Sequence, residues 1–333
     1  MIVDIFLGYV SMFVGEPIAY IISLLLAFIA ALILTGFIPI FVGWVDRKLS
    51  ARIQSRYGPV YVGPFGLLQN VADAIKLLGK SFLTTDVDWL VFNFVPIAMT
   101  TASFLMISII PLGLPGFSFI SVPFDAIFIY VLVAVTPLFV LLAGWGSNNK
   151  YSMIGGFRGA AQIATYELTF LLSIISISML AGGYNFSTIV TGQSKLWYIA
   201  YFPLTFLAFV VASQATIERE PFDLPEASQE LQAGWEIEYG GIKYGLFFVS
   251  DYVRLTVISM LIVYFFLGGW LGPSILPAIV WFWLKTAVVL FLLMVPRWVL
   301  GRPRIDQLLR FGWNWLLPLA VFNLLIVGAL IFV

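Results

Sequence analysis

The stretch from Glu218 to Tyr239, EREPFDLPEASQELQAGWEIEY, carries seven carboxylates, Glu218, Glu220, Asp223, Glu226, Glu230, Glu236 and Glu238, against one cation, Arg219. Carboxylates at that density, set between apolar runs, can hold and pass protons when burial brings their pKa values toward neutrality. Local grammar gives two of them a plainer task. Asp223 is placed to cap a short helix, with Glu226 three residues on, Pro225 in the first turn and Gly234 at the end. Capping cannot account for all seven acids.

Four more charged side chains, Glu167, Asp251, Arg254 and Lys285, fall inside long apolar runs. A charge at membrane depth costs on the order of 3 kcal/mol, so each calls for a partner or water. Asp251 and Arg254, three apart on one helix, can neutralise each other. Glu167 has polar neighbours in Gln162, Thr165 and Tyr166 but no cation on its own helix, so Lys285 on another helix is its expected partner. The acidic stretch, Asp251, Glu167, Lys285 and Asp46 are expected to form one polar path into the membrane, with Glu167 carrying its proton.

The elements that must hold these residues are membrane spans. The chain has 333 residues, 61% hydrophobic and 10% charged, with a mean hydropathy of +1.03, far from the composition of a water-soluble domain. Apolar segments long enough to cross a bilayer occur at about 18–44, 88–111, 124–146, 157–181, 196–217, 242–268, 274–297 and 311–333. The expected fold is therefore all-α and polytopic, one membrane domain over 1–333 with eight transmembrane helices. The odd-numbered loops hold fourteen of the 17 basic residues. The even loops hold only Lys195, which places the odd loops in the cytoplasm and both termini outside; the plasma membrane of a prokaryote is the expected location. Met1 to Gly15 shows no basic leader region and reads as mature sequence.

Two cytoplasmic insertions stand out. Residues 46–87 hold a basic, Gly- and Pro-marked loop over 46–63, expected to be irregular, then apolar positions Phe65, Leu68, Val71, Ala72, Ile75 and Leu78 with helical spacing, expected as an amphipathic helix on the membrane surface or against a soluble partner. Topological anchoring accounts for Arg47 and Lys48 better than for Arg52 and Arg56, which lie further from the span. Residues 218–241 form the acidic loop.

Formal net charge is zero, with no cysteine and no histidine. That balance gives nucleic acid no electrostatic foothold. It also removes thiolate-held clusters, histidine-ligated haem and a Cys- or His-based metal site, so any redox chemistry needs its cofactors elsewhere.

Four segments in order, DRKLSARIQSRYGPVYVGPFGLLQNVADAIKLLGK at 46–80, SNNKYSMIGGFRGAAQIATYE at 147–167, PFDLPEASQELQAGWEIEYGGIKYGLFFVSDY at 221–252 and RWVLGRPRIDQLLRFGWNWLLP at 297–318, resemble the core membrane subunit of respiratory complex I, which joins the membrane arm to the peripheral arm and forms most of the quinone chamber. The resemblance implies a subunit of a proton-pumping NADH:quinone oxidoreductase with quinone as substrate. Iron–sulfur clusters and flavin belong on partner subunits; soluble partners dock on the cytoplasmic face and other membrane-arm subunits alongside, in the lipid bilayer. It implies a proton path through Asp46, Glu167, Asp223, Glu226, Glu230, Glu238, Asp251 and Lys285. It places Arg47, Arg52, Arg56, Asp73 and Phe222 at the quinone chamber, with Arg297, Arg304 and Asp306 in support. Asp46 and Asp251 stand where Glu is common, Thr216, Ser228 and Ser81 where Glu is frequent, and Val60 and Tyr61 replace a common Asn-Arg pair, which alters the wiring near the chamber. Two other readings stay open: the equivalent subunit of a hydrogenase-type or ferredoxin-driven complex, and a secondary transporter whose deep acids bind coupling ions.

Overall fold

The computed structural model describes residues 2–12, 16–81 and 86–332. Residues 82–85 of the insertion expected at 46–87, with Met1 and residues 13–15 of the N-terminal stretch, lie outside them. Ten helices organise the rest: α1 (Ile2–Val10), α2 (Glu16–Ile53), α3 (Gln69–Gly79), α4 (Trp89–Ile109), α5 (Asp125–Gly146), α6 (Lys150–Ala181), α7 (Pro203–Thr216), α8 (Gly241–Phe266), α9 (Ala278–Val299) and α10 (Ile305–Ile331). There is no strand among the described residues.

Seven of these, α2, α4, α5, α6, α8, α9 and α10, are long and apolar enough to cross a membrane. The chain is a multi-pass membrane protein. The segment expected at 196–217 behaves differently from the other seven. It opens with a single turn at Tyr198–Tyr201 and breaks at Phe202, whose φ of −131° and ψ of 65° are non-helical. The cause is Pro203, whose ring disfavours the helical conformation in the residue before it. The remaining 14 residues of α7 rise only about 21 Å, short of the roughly 30 Å hydrocarbon.

A second difference concerns the basic segment after the first span. Residues 46–53, expected to be irregular, continue α2 as helix, giving it 38 residues. Trp44 to Ile53 contains neither Gly nor Pro, so nothing stops the helix until the turn before Gly58 and Pro59. Downstream, a short turn at Pro64–Gly66 leads into α3.

The centre of the bundle is α8. Every residue from Tyr252 to Phe266 is buried, which is the pattern of a helix enclosed on all sides rather than one facing lipid. By contrast α2 leaves Ile21, Leu25, Phe28 and Ile33 exposed along one side, as a lipid-facing stripe requires. The helix α3 docks on α2 through Asn70, whose Nδ2 donates to the backbone oxygens of Pro39 at 3.2 Å and Ile40 at 2.8 Å.

The acidic segment lies against α6, and glycine makes that approach possible. A Cβ on Gly155 would come within 2.7 Å of the Trp235 nitrogen, and one on Gly159 within 2.6 Å of the Glu218 carboxylate. At Gly234 the demand is double: its φ is +58°, and a Cβ would meet the Pro225 oxygen at 1.6 Å, so only glycine closes the segment back on itself. Gln162 pins the same segment by donating to the Ala215 and Phe222 carbonyls at 2.9 and 2.7 Å.

Candidate functional site

Folded in this way, the loop turns its acids inward. A cavity of about 180 Å³ is lined by Glu218, Glu220, Asp223, Glu226 and Glu236 from the loop, and by Asp251 from α8, with Arg219, Arg297, Tyr244, Phe248 and Tyr252. Glu226, Glu236 and Asp251 each bring a carboxylate oxygen within 4.8 Å of the other two. Asp251 is ion-paired with Arg254 one turn along α8, as their spacing predicts.

Partly exposed cations hold the rim. Asp46, 3% exposed, accepts from Arg219 at 2.5 Å, from Arg297 at 3.0 Å and from the Tyr252 hydroxyl at 3.0 Å. Glu220 accepts from Arg297 at 3.2 Å and Arg302 at 3.1 Å, and Asp223 from Arg302 at 2.7 Å. The expected helix cap does not form. Asp223 is held by Arg302, the α-helical turn in the loop spans Ser228–Leu231, and that turn ends at Gln232 in the left-handed conformation, two residues before Gly234. The acids are thus free for the cavity.

Loss of water sets their proton affinities. Burial pushes Glu218 up to about 8, partly offset by Arg254 and reinforced by Asp251 and Asp223. Burial likewise raises Asp223 to about 7, with Arg302 opposing and Glu220 adding to the rise. Glu226 and Glu236 are raised well above ordinary values, first by burial and then by their acidic neighbours. Neither oxygen of Glu218 has a hydrogen-bond partner within the protein. Such groups hold their protons to higher pH than a solvated carboxylate does, and a change of charge nearby shifts that affinity.

A pH dependence follows from the sign of these shifts. An acid whose folded pKa is raised favours the folded state most below its unfolded value, about 4.5, and loses that contribution as pH rises through the folded value, about 8 for Glu218. Hydrogen exchange over residues 218–239 should therefore accelerate between about pH 4.5 and about pH 8 beyond the intrinsic rate. Glu218→Gln should flatten that excess; an unchanged profile in the variant would exclude Glu218 as its source.

A second cavity, of about 510 Å³, opens between α2, α3 and the start of α8. Its walls are mostly apolar, including Ile40, Leu77, Leu78 and Val249, and its polar fringe is Arg47, Asn70, Asp73, Lys76 and Lys80. Arg47 and Asp73 meet at 2.5 Å, with Gln69 also donating to Asp73. Tyr244 and Phe248, one turn apart on α8, line this cavity and the acidic one alike.

Not every expected residue belongs to these cavities. Glu230 pairs with Arg158 at 2.7 Å and is 60% exposed in its side chain; Glu238 accepts from Asn149 at 2.8 Å. Neither lines the acidic cavity. Arg52 and Arg56 are exposed around the end of α2, where Arg56 donates to Gln54. They line neither cavity. Phe222 faces a third, separate apolar cavity. Arg304 starts α10 and Asp306 sits in its first turn, both exposed.

The expected pairing of Glu167 with Lys285 is not formed. Glu167 accepts from the Tyr130 hydroxyl at 3.0 Å. Lys285 donates to the backbone oxygens of Leu267, Gly269 and Leu271 at 2.7, 3.2 and 2.5 Å, and lies 4.6 Å from the centre of the Trp197 ring. Those carbonyls belong to the C-cap of α8, Leu267, and to the turn just after it, so Lys285 stands about 24 Å along the helix from Asp251. Its positive charge is matched there by the helix terminus, which removes the need for an acid.

Sequence reasoning took Glu218 and Glu236 only as part of the acidic stretch, with no role of their own; it noted Arg219 only as the one cation there and passed over Tyr244 and Tyr252. One signal was available for Glu236. Its neighbour Trp235 is fully buried, and a tryptophan inside an acidic loop marks a segment that packs inward.

The site's residues lie within a region shared with known proteins. Residues 18–328 match the sequence model of a family described as NADH dehydrogenase. The chain is similar to the H subunit of the NADH-quinone oxidoreductase of Methylococcus capsulatus, 40% identical over 96% of this chain and 98% of that one. It is also similar to the second of the numbered H subunits of that enzyme in Geobacter sulfurreducens, 42% identical over 86% and 89%, and to its counterpart in Syntrophobacter fumaroxidans, 40% identical over 86% and 89%. With nearly the whole chain aligned, the acidic loop and both of its flanking helices included, this protein belongs to the NADH dehydrogenase family.

Proposed function

We propose that this chain is the quinone-chamber and coupling subunit of a proton-translocating NADH-quinone oxidoreductase. The observation that carries the reading is the junction of two unlike cavities at Tyr244 and Phe248. The larger one suits an apolar isoprenoid tail and a quinone ring, because its lining is apolar with a few polar groups at one end. The smaller one holds acids whose protons sit near neutrality. Reduction of a quinone to a quinol takes up two electrons and two protons. The electrons come from iron–sulfur and flavin groups on soluble partners seated over the cytoplasmic loops, since this chain has neither cysteine nor histidine to hold such groups.

In this reading the change of charge at the quinone is felt by Glu226, Glu236 and Asp251 across the two rings. Arg219, Arg297 and Arg302 screen one side of the cluster, so the response passes along the acids rather than into the cytoplasm. Asp46, tied to two of those cations, links the first span to the same network. Glu167, bonded to Tyr130 on α5, is the station deeper in the bundle, reached through water or side-chain rearrangement. The eight-span arrangement includes α7 as a short eighth crossing, with both termini outside and α3 lying at the inner membrane surface, its Ile75 and Leu78 exposed.

The test is photolabelling in the assembled complex with a short-tailed azidoquinone. Label is expected on 36–49, 70–80 and 242–249. Leu77→Trp, which fills the chamber wall, should raise the KM for quinone about tenfold, the equivalent of about 1.4 kcal/mol, while leaving oxidation of NADH by an artificial acceptor unchanged. Label confined to other subunits would overturn the assignment of the chamber.

A further inference from the structure

Two of the acids that line the smaller cavity, Glu218 and Asp251, stand in unlike settings and both feel one cation, Arg254. Asp251 is 34% exposed in its side chain and is bonded to Arg254. Glu218 is 3% exposed, its carboxylate rests against Gly159 of α6, and neither of its oxygens has a hydrogen-bond partner among the described residues. Arg254 is as deeply buried, at 4%. It uses one nitrogen, Nη2, for Asp251; Nε and Nη1 are buried with no partner among the described residues.

Unmet donors and unmet acceptors are both costly in a buried place. After burial itself, the strongest influence on Glu218 is the positive charge of Arg254. The two halves of a second ion pair are therefore present and unmade. No other cation on the cavity is as free to make it, because Arg219 is bonded to Asp46, and Arg297 to Asp46 and Glu220. The remaining charges around the cavity are acids, Glu220, Asp223, Glu226 and Glu236, and α6 meets Glu218 with an uncharged glycine. Electrostatics ranks the two claims on Arg254. An ionised carboxylate shut away from water needs a cation more than one that faces a cavity. While Glu218 holds its proton, Asp251 keeps Arg254; once Glu218 is ionised, it is the costlier charge to leave alone.

We propose that Arg254 is a two-position switch, which holds Asp251 in the arrangement described here and turns its free nitrogens to Glu218 when Glu218 gives up its proton. The Glu218 carboxylate, turned from α6 toward the cavity that it lines, delivers the proton there, and Asp251, freed of its cation, takes one up from the same acids. The step balances. One proton goes from Glu218 to Asp251, one cation moves the opposite way, and the charge of the three groups is unchanged. Two paired arrangements of equal charge make a bistable element, and charge appearing elsewhere on the cavity tips it from one to the other. The switch is a property of this chain and stands whether or not the larger cavity takes quinone.

The experiment is electron cryo-microscopy of the assembled complex in lipid at about pH 6 and about pH 9, either side of the value of about 8 for Glu218. The Arg254 guanidinium is expected within hydrogen-bond distance of Asp251 at the lower pH and of Glu218 at the higher. Glu218→Gln should keep it on Asp251 at both, because the amide carries no charge to draw it away. Arg254 on Asp251 at both pH values in the wild-type protein would overturn the proposal. So would an ordered water fixed between Arg254 and Glu218 at the higher pH with the Asp251 bond intact, or the same movement of Arg254 in Glu218→Gln.

Discussion

Replacing Glu226 and Glu236 together by Gln should leave quinone reduction within a few-fold of normal and cut the protons moved per electron at least tenfold. Glutamine keeps the size of the side chain and its hydrogen-bonding capacity, so the loop should still fold against the glycines of α6. What it removes is the exchangeable proton. Two ionised carboxylates at the 4.8 Å limit of this cluster repel by about 3 kcal/mol at an effective dielectric of about 20, which is worth about 2 pKa units. One charge appearing or vanishing at this distance is thus enough to decide whether a neighbour keeps its proton. The measurement is NADH-driven quinone reduction and fluorescence quenching by the pH gradient in the same vesicles. A variant that pumps at the normal ratio would remove these two acids from the path.

The largest structural effect is expected at Asp46. Asp46→Ala should destabilise the assembled protein by about 3–5 kcal/mol, the range seen when one partner of a buried ion pair is removed. The reason is the pair of cations left behind. Arg219 and Arg297 both bond to Asp46 at 3.0 Å or less, and Arg219 is only 14% exposed in its side chain. Adding Arg297→Leu should recover part of the loss, since one unmatched charge goes with it. The readout is the recovery of intact complex after detergent extraction at increasing temperature. An Asp46→Ala protein as stable as wild type would show that the Arg219 side chain escapes to water when its partner is gone.

How much of this was legible in the sequence depends on range. Spans with continuous apolar composition, such as those around Trp89–Ile109 and Gly241–Phe266, announce themselves because each turn of helix faces lipid or core whatever its neighbours do. The segment after Trp197 did not, because a single proline at 203 decides its length and composition does not register that. The Asp251 and Arg254 pair was legible because the two groups share a helix. Glu167 with Tyr130, and Lys285 with the carbonyls at and just after the end of α8, were not. Those partners are set by packing between helices, and a backbone carbonyl leaves no mark in a sequence. Inside the acidic loop the count of carboxylates was plain, while the choice between inward and outward ones was made by glycines on a different helix.

The bonds from Lys285 to Leu267, Gly269 and Leu271 carry a mechanical consequence. They rivet the C-terminal end of α8 and the turn after it to α9, and any sliding of α8 along its axis would break all three at once. A piston stroke of the central helix is thereby disfavoured as the way a signal leaves the acidic cavity. What stays free to move is the N-terminal end, where Gly241 and the turn before it allow rotation and side-chain swing, so in the proposed coupling the message would travel as rearranged charge while the rod itself stays still.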